Sequence, residues 1–387
     1  MLWLYLVCDD AIFAINVNEF KGQVMKRRRS IAILTGGGDC PGTNAVIRAV
    51  VKKAVLELGA EIIGIEDGFE GLIQHRWRQL HYADVSGILT VGGTILGTSN
   101  KADPYRYAIE KGESLRFRDV SKTVIANLKK LGVECLVCIG GDGTLFIANR
   151  FHKDGVPIVA VPKTIDNDLH GTDVTFGFDT AVSIAAEAID RVHSTAQSHH
   201  RVMIVEVMGR TTGWIALYAG VAGGGDIILI PEIPYDIESV TDKVEERNKK
   251  GKRFSIVVVS EGAKPIGGEV VVQGIVKDSA EKVRLGGISF MLGRQIEQMT
   301  GIETRPVVLG HLQRGGSPTP TDRVLATRLG TKAVEMIENK EFGYMAGVNG
   351  RRLVSVPLEK VAKGPKTVPL HHPLIQSARS VGTSFGD

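Results

Sequence analysis

The chain has 387 residues, 43% of them apolar, enough to bury a large core and too long for one compact domain, so two domains are expected. Its 47 basic and 43 acidic residues leave a formal charge of +4, too balanced to argue for nucleic acid or a membrane surface; the basic side chains are expected to meet a small anion instead. Four cysteines, few and unevenly spaced, argue against a disulfide framework and fit a reducing cytoplasm.

In chain order, the apolar run Met1 to Val7 followed by Cys8, Asp9 and Asp10 has neither the basic start nor the length of a secretory signal or membrane span. Met25 opens Met-Lys-Arg-Arg-Arg directly before the first patterned strand, and residues 1–29 are expected to be a disordered extension. From Ser30 onward short β-rich runs alternate with helical patterns. Ile31–Thr35, Glu61–Ile65, Cys135–Ile139, Ile158–Val161, Val202–Val207, Ile227–Ile230, Ser255–Ser260 and Pro306–Leu309 read as strands. Asn44–Glu57, Ser121–Leu131, Asp179–Ala196, Ile237–Lys249, Ile288–Met299 and Asp322–Glu338 read as helices. Continuous apolar strands separated by helices are the pattern of parallel sheets covered on both faces, so the fold expected is α/β and doubly wound. In such sheets ligands bind beyond the carboxyl ends of the strands. The Cys135/Cys138 pair lies inside one apolar run and reads as strand core, not as a redox or zinc site.

The chemical motifs fall at those strand ends. Thr35-Gly36-Gly37-Gly38-Asp39-Cys40-Pro41-Gly42 leads from a strand to a helix, where bare backbone amides and a helix N-terminus favour an anion. Gly140-Gly141-Asp142-Gly143-Thr144 repeats the arrangement with a carboxylate suited to magnesium; the bland reading of Asp142 is a turn or cap residue. Pro162-Lys163-Thr164-Ile165-Asp166-Asn167-Asp168 sets two carboxylates two residues apart, on one side if the backbone is extended, able to accept a hydroxyl proton and to orient; an Asx-rich turn is the structural alternative. Met208-Gly209-Arg210, Glu261-Gly262 and Gly310-His311-Leu312-Gln313-Arg314-Gly315-Gly316 also lie past strands and, with Arg201 and Arg305, supply donors for phosphate and sugar hydroxyls. His199-His200 and His371-His372 are set aside as structural or solvated pairs.

From about Ser30 to Glu335 the chain resembles the 6-phosphofructokinase family, on Gly140–Thr144, Pro162–Asp168, Met208–Arg210 and Gly310–Gly316 in that order. The resemblance implies two doubly wound, mostly parallel αβα domains with the active site between them. It assigns residues 30–176 plus about 290–335 to donor binding, and 177–289 plus about 336–387 to the sugar phosphate and tail. It implies phosphoryl transfer from ATP, with Mg2+, to the 1-hydroxyl of fructose 6-phosphate in a cytoplasmic glycolytic enzyme. By resemblance Asp166 is the base, Thr164 and Asp168 hold the substrate and metal assembly, Arg210 stabilises the transferring phosphoryl, and Asp142 is the metal-side residue. Gly37, Asn100, Lys101, Gly141, Gly143, Thr144 and Lys163 match donor positions. Thr164, Asp166, Met208, Gly209, Arg210, Glu261, His311 and Arg314 match the sugar pocket. Arg201 and Arg305 match residues that reach it from a neighbouring subunit, implying a homodimer or homotetramer with shared sites.

Family members use ATP or pyrophosphate. Pyrophosphate users usually carry aspartate at the position of Gly143, and glycine leaves the α-phosphate's space open, which favours ATP; Lys163 is a residue that pyrophosphate enzymes also carry, which keeps that donor as the alternative. Asn100 stands where the family commonly has arginine, so a weakly active regulatory paralogue is a further alternative.

Overall fold

The computed structural model describes residues 3–8, 11–16, 29–109, 116–275 and 283–387. Trp3–Cys8 and Ala11–Asn16 pair as an antiparallel ribbon, which differs from the disordered extension expected there; residues 1–2, 9–10 and 17–28 lie outside the described residues.

From Ser30 the chain lays down β1 (Ser30–Thr35), β2 (Glu61–Ile65), β3 (Trp77–Leu80), β4 (Cys135–Gly140) and β5 (Ile158–Pro162), then β6 (Val202–Val207), β7 (Ile227–Leu229), β8 (Ser255–Ser260) and β9 (Thr304–Val308), and last β10 (Tyr344–Asn349) and β11 (Arg352–Pro357). One sheet has seven strands in the order β11-β10-β5-β4-β1-β2-β3, and a second has four in the order β7-β8-β6-β9; the remaining paired strands form two-stranded ribbons. The four-stranded sheet is parallel throughout. The larger one is parallel except at its edges, where β3 and β11 run antiparallel to their neighbours.

Side chains alternate between faces of a strand, and the cores follow that alternation. Ile31 and Ile33 of β1 join Met203, Val205 and Val207 of β6 in one core that spans both sheets. Ala32 and Leu34 face a second core on the outer side of the large sheet. Val202 and Ile204 face a third on the outer side of the small sheet. Both faces of the central strands are therefore dry, which is why their sequences are continuous apolar runs.

The lobe boundaries differ from those expected. Helix Ile288–Thr300 and β9 belong to the small sheet, with β9 paired to β6, although residues from about 290 were assigned to the first lobe. Helix Pro320–Glu338 does return to the large sheet, where it lies on helix Thr43–Leu58. Gly330 permits the close approach: a Cβ there would stand 2.8 Å from the Ala49 Cβ. β10 and β11 then complete the large sheet instead of the second lobe, β10 pairing with β5. Connectivity of this kind leaves no compositional mark, because the strands on either side of a crossover are equally apolar.

Candidate active site

One cleft collects the carboxyl-end loops of both sheets. Its lining includes Gly37, Gly38 and Asp39 after β1, Gly141–Thr144 after β4, Lys163–Asp166 and Asp168 after β5, Arg210 after β6 and Arg314 after β9. Asn100 also lines it.

The two glycine loops fit together through Thr144. A Cβ on Gly36 would lie 2.7 Å from the Thr144 Oγ1, and one on Gly140 2.3 Å from its Cβ. Both positions therefore tolerate only glycine while Thr144 stands between them. Lys163 links the loops from below: its amide donates to the Gly140 carbonyl at 2.9 Å and its ammonium to the Gly38 carbonyl. Burial pushes the Lys163 ammonium down to about 8, and the nearby Arg314 charge adds to the effect. Arg314 lies across Gly38, donating to the Asp39 carbonyl at 3.2 Å. A Cβ at Gly38 would sit 1.9 Å from the Arg314 Nη1. The loop bearing Asn100 is laced on by Thr98, whose hydroxyl donates to the Gly37 carbonyl at 2.5 Å, and by the Gly37 amide, which donates to the Ser99 carbonyl at 3.2 Å.

The acid turn is bent where an extended backbone was expected. Asn167 has a left-handed φ of 51°, and its Oδ1 accepts from the Thr175 amide at 3.1 Å. The Thr164 hydroxyl accepts from the Asp166 amide at 3.0 Å. The turn, closed by the Thr164 hydroxyl and braced by the Asn167 side chain, carries Asp166 and Asp168, both buried, into one cleft. Burial raises Asp168 well above the usual carboxylate range; the Asp166 charge adds to this and Arg210 opposes it. The Asp168 Oδ1 is buried without a protein partner.

Across the cleft, Gly209 at φ 140° and Arg210 at φ 52° make a tight loop. The Arg210 amide donates to Glu261 Oε1 at 3.1 Å, and a Cβ on Gly262 would clash with the Arg210 carbonyl at 1.8 Å. Burial pushes Glu261 up to about 7 despite that amide. Met208 is buried beneath the loop, and His311 stands exposed in the turn Gly310–Arg314.

Arg201 and Arg305 are not brought to this cleft. They stand at the amino-terminal ends of β6 and β9, where Val202 pairs with Thr304, and both bond to Glu303, Arg201 at 2.6 Å. A six-residue strand separates that end from Met208, roughly 20 Å.

Sequence reasoning missed Phe69, Ser99, Ala102, Asp103 and Ile147, which also line the cleft. Phe69 was within reach of the argument, since it follows Gly68 just past the end of β2. His199 and His200 end a helix, with His200 as its left-handed cap. His372 packs edge-on against Trp214 at 5.3 Å and caps the helix Pro373–Ser380. Cys135 and Cys138 are free and buried in β4.

Among the described residues no three His, Cys, Asp or Glu side chains converge as a ready-made metal cage, and no helix is long and apolar enough to cross a membrane.

The phosphofructokinase family model matches residues 30–337. An ATP-dependent 6-phosphofructokinase 2 of Clostridium perfringens is 52% identical over 367 residues, which is 94% of this chain and 100% of that protein. The structure of phosphofructokinase from Saccharomyces cerevisiae superposes with a TM-score of 0.74 at 31% identity, covering 87% of this chain and 45% of that one. A pyrophosphate-dependent phosphofructokinase of Nitrosospira multiformis shares the fold, with a TM-score of 0.76 at 21% identity and 93% of both chains covered. With the family model and a relative at 52% identity both matching across the two lobes, the chain belongs to the phosphofructokinase family.

Proposed function

We propose that this protein transfers the terminal phosphoryl group of ATP to the 1-hydroxyl of fructose 6-phosphate, giving fructose 1,6-bisphosphate in glycolysis. The observation that carries this is the meeting of buried Asp166 and Asp168, from one lobe, with Arg210, from the other, beside two glycine loops. Asp166 takes the hydroxyl proton as the sugar oxygen attacks phosphorus, and Arg210 meets the charge spread over the transferring oxygens while ADP leaves. Thr164 and Asp168 hold the attacking group in line. Met208, Gly209, Glu261, His311 and Arg314 form the sugar side, and Gly37, Asn100, Lys101, Gly141, Gly143, Thr144 and Lys163 the donor side.

The carboxylates fit a magnesium ion that arrives with the nucleotide. Such ions are commonly held by one or two carboxylates together with substrate phosphates and water, so the lack of a preformed cage is consistent with this use. Asp142 would hold the ion, and the unpartnered Asp168 Oδ1 would offer a second hard oxygen. The ion supplies neutralisation of the phosphate charge.

ATP is favoured over pyrophosphate because a Cβ at Gly143 meets nothing within 4 Å, leaving the donor side open, while the Lys163 ammonium is turned onto the Gly38 carbonyl. The shared fold of the Nitrosospira enzyme does not decide the donor. Since Arg201 and Arg305 stand at the strand ends remote from their own cleft, they serve a neighbour's sugar 6-phosphate in a homo-oligomer, a tetramer by family resemblance, in the cytoplasm.

A coupled assay with fructose 6-phosphate, comparing ATP with pyrophosphate and magnesium with chelator, tests the reading. Turnover with ATP that is lost on chelation supports it. Faster turnover with pyrophosphate transfers the assignment to that donor, and no turnover with either leaves the regulatory reading.

A further inference from the structure

The C-terminal tail crosses between the lobes at the catalytic turn. On one side the Lys366 amide donates to the Asp168 carbonyl at 2.6 Å. The Lys366 ammonium donates to the carbonyls of Thr172 at 2.9 Å and Asp173 at 3.3 Å. These three acceptors continue the turn that begins at Asp166. On the other side the Trp214 indole donates to the Lys366 carbonyl at 2.8 Å, and the Lys366 ammonium stands 5.2 Å from the centre of that ring. Two residues on, the Val368 amide donates to Glu232 Oε1 at 2.8 Å. The same oxygen accepts from the Gly213 amide at 3.1 Å.

Gly213 and Trp214 follow directly on the loop of Arg210, and Trp214 opens the next helix. Two tail residues, Lys366 and Val368, thus join the aspartate turn of the large sheet to the arginine loop of the small one. The junction is partly shielded from water: Trp214 and Val368 are buried, Lys366 is half-buried, and burial pushes the Lys366 ammonium down to about 8, against the pull of Asp173 and Asp168. His372 anchors the tail beyond it against Trp214.

We propose that Lys366–Val368 is an interlobe strap and that Lys366 is a positioning residue, holding the turn of Asp166 and Asp168 at a fixed reach from Arg210. This rests on the kinase reading above. The physical basis is that phosphoryl transfer depends on alignment across the cleft, and a misplacement of about 1 Å can cost on the order of 10²-fold in rate. Lys366 reaches no cleft surface itself; it acts through the backbone carbonyls it holds.

The test compares Lys366→Met, Lys366→Arg and Trp214→Phe in the full-length enzyme, with Lys363→Met on the same tail as control. Lys366→Met should lower kcat by roughly 10- to 10²-fold while KM for ATP stays within about two-fold and the unfolding midpoint changes little. Lys366→Arg should restore most of the rate. In an Asp168→Asn background, where the positioned group is already impaired, Lys366→Met should cost much less, because the two act as one unit. A kcat near wild type for Lys366→Met, or a loss equal in both backgrounds, overturns the strap. If Lys366→Met fails to fold, Trp214→Phe decides: it keeps an aromatic side chain and removes the donor, and an unchanged kcat overturns the proposal. An inactive wild type sinks the kinase reading itself, whereas an active wild type with a full-rate Lys366→Met sinks only the strap.

Discussion

Replacing Gly143 with aspartate tests the donor assignment at its most exposed point. Gly143 is the second residue of the helix Asp142–Lys153, lines the cleft, and has open space where a Cβ would go. An aspartate there fits without a clash. An acid in the first helical turn is favoured by about 0.3 to 1 kcal/mol, and exchange of a helical glycine for aspartate adds about 0.3 kcal/mol, so the variant should fold at least as well as the wild type. What changes is the field over the donor. A carboxylate about 5 Å from one phosphate charge, at an effective dielectric of about 20, opposes it by about 3 kcal/mol. That converts to roughly 10²-fold in kcat/KM. The assay is coupled turnover with ATP and separately with pyrophosphate, alongside a thermal melt. ATP use should fall by that factor with the melt unchanged. An ATP kcat/KM within about three-fold of wild type would show that the α-phosphate does not approach this helix end and would refute the reasoning.

Asp166→Asn keeps the shape of the side chain and removes the proton acceptor, so kcat should fall by roughly 10²- to 10⁴-fold while calorimetry still detects fructose 6-phosphate binding. Glu261→Gln keeps an oxygen for the Arg210 amide but cannot ionise. Because folding raises Glu261 from 4.5 to about 7, the folded state holds its proton through that window and the wild type loses stability as pH rises across it. The stability of Glu261→Gln relative to wild type should therefore grow between pH 4 and pH 7.5 by up to about 3 kcal/mol in denaturant titrations, and a flat difference would contradict the shift. Arg201→Ala and Asp166→Asn, each impaired alone, should regain activity when their subunits are mixed and allowed to exchange. Full activity in a monomeric fraction by light scattering would rule out sharing.

The central strands were readable because burial on both faces leaves an uninterrupted apolar run; β2, β6 and β8 fall on the residues expected. The edges were not. Trp77–Leu80 is mostly exposed and carries no such run, and at the other edge Arg352–Pro357 is only half-buried along most of its length. Helix Trp214–Ala222 is apolar almost all round, so no period distinguishes it from a strand. In the cleft, residues that announce themselves by glycine or carboxylate at a strand end were found. Apolar liners such as Ala102 and Ile147 look like any core residue. Lys366 could not be found, because its role is carried by backbone carbonyls far away in sequence.

The late return of the chain to its first sheet governs how the protein can be made. β5 ends at Pro162 and its neighbour β10 begins at Tyr344, so during synthesis about 180 residues separate a finished strand from the partner that covers its edge. At roughly 5 to 20 residues per second this interval is about 10 to 40 s. Throughout it, the apolar edge of β5 is open to pairing with another chain. The smaller sheet has no such delay, because all four of its strands lie between Val202 and Val308. The small lobe can therefore close while the large one still waits, and a chain cut short just before Tyr344 would carry one complete sheet and one adhesive edge.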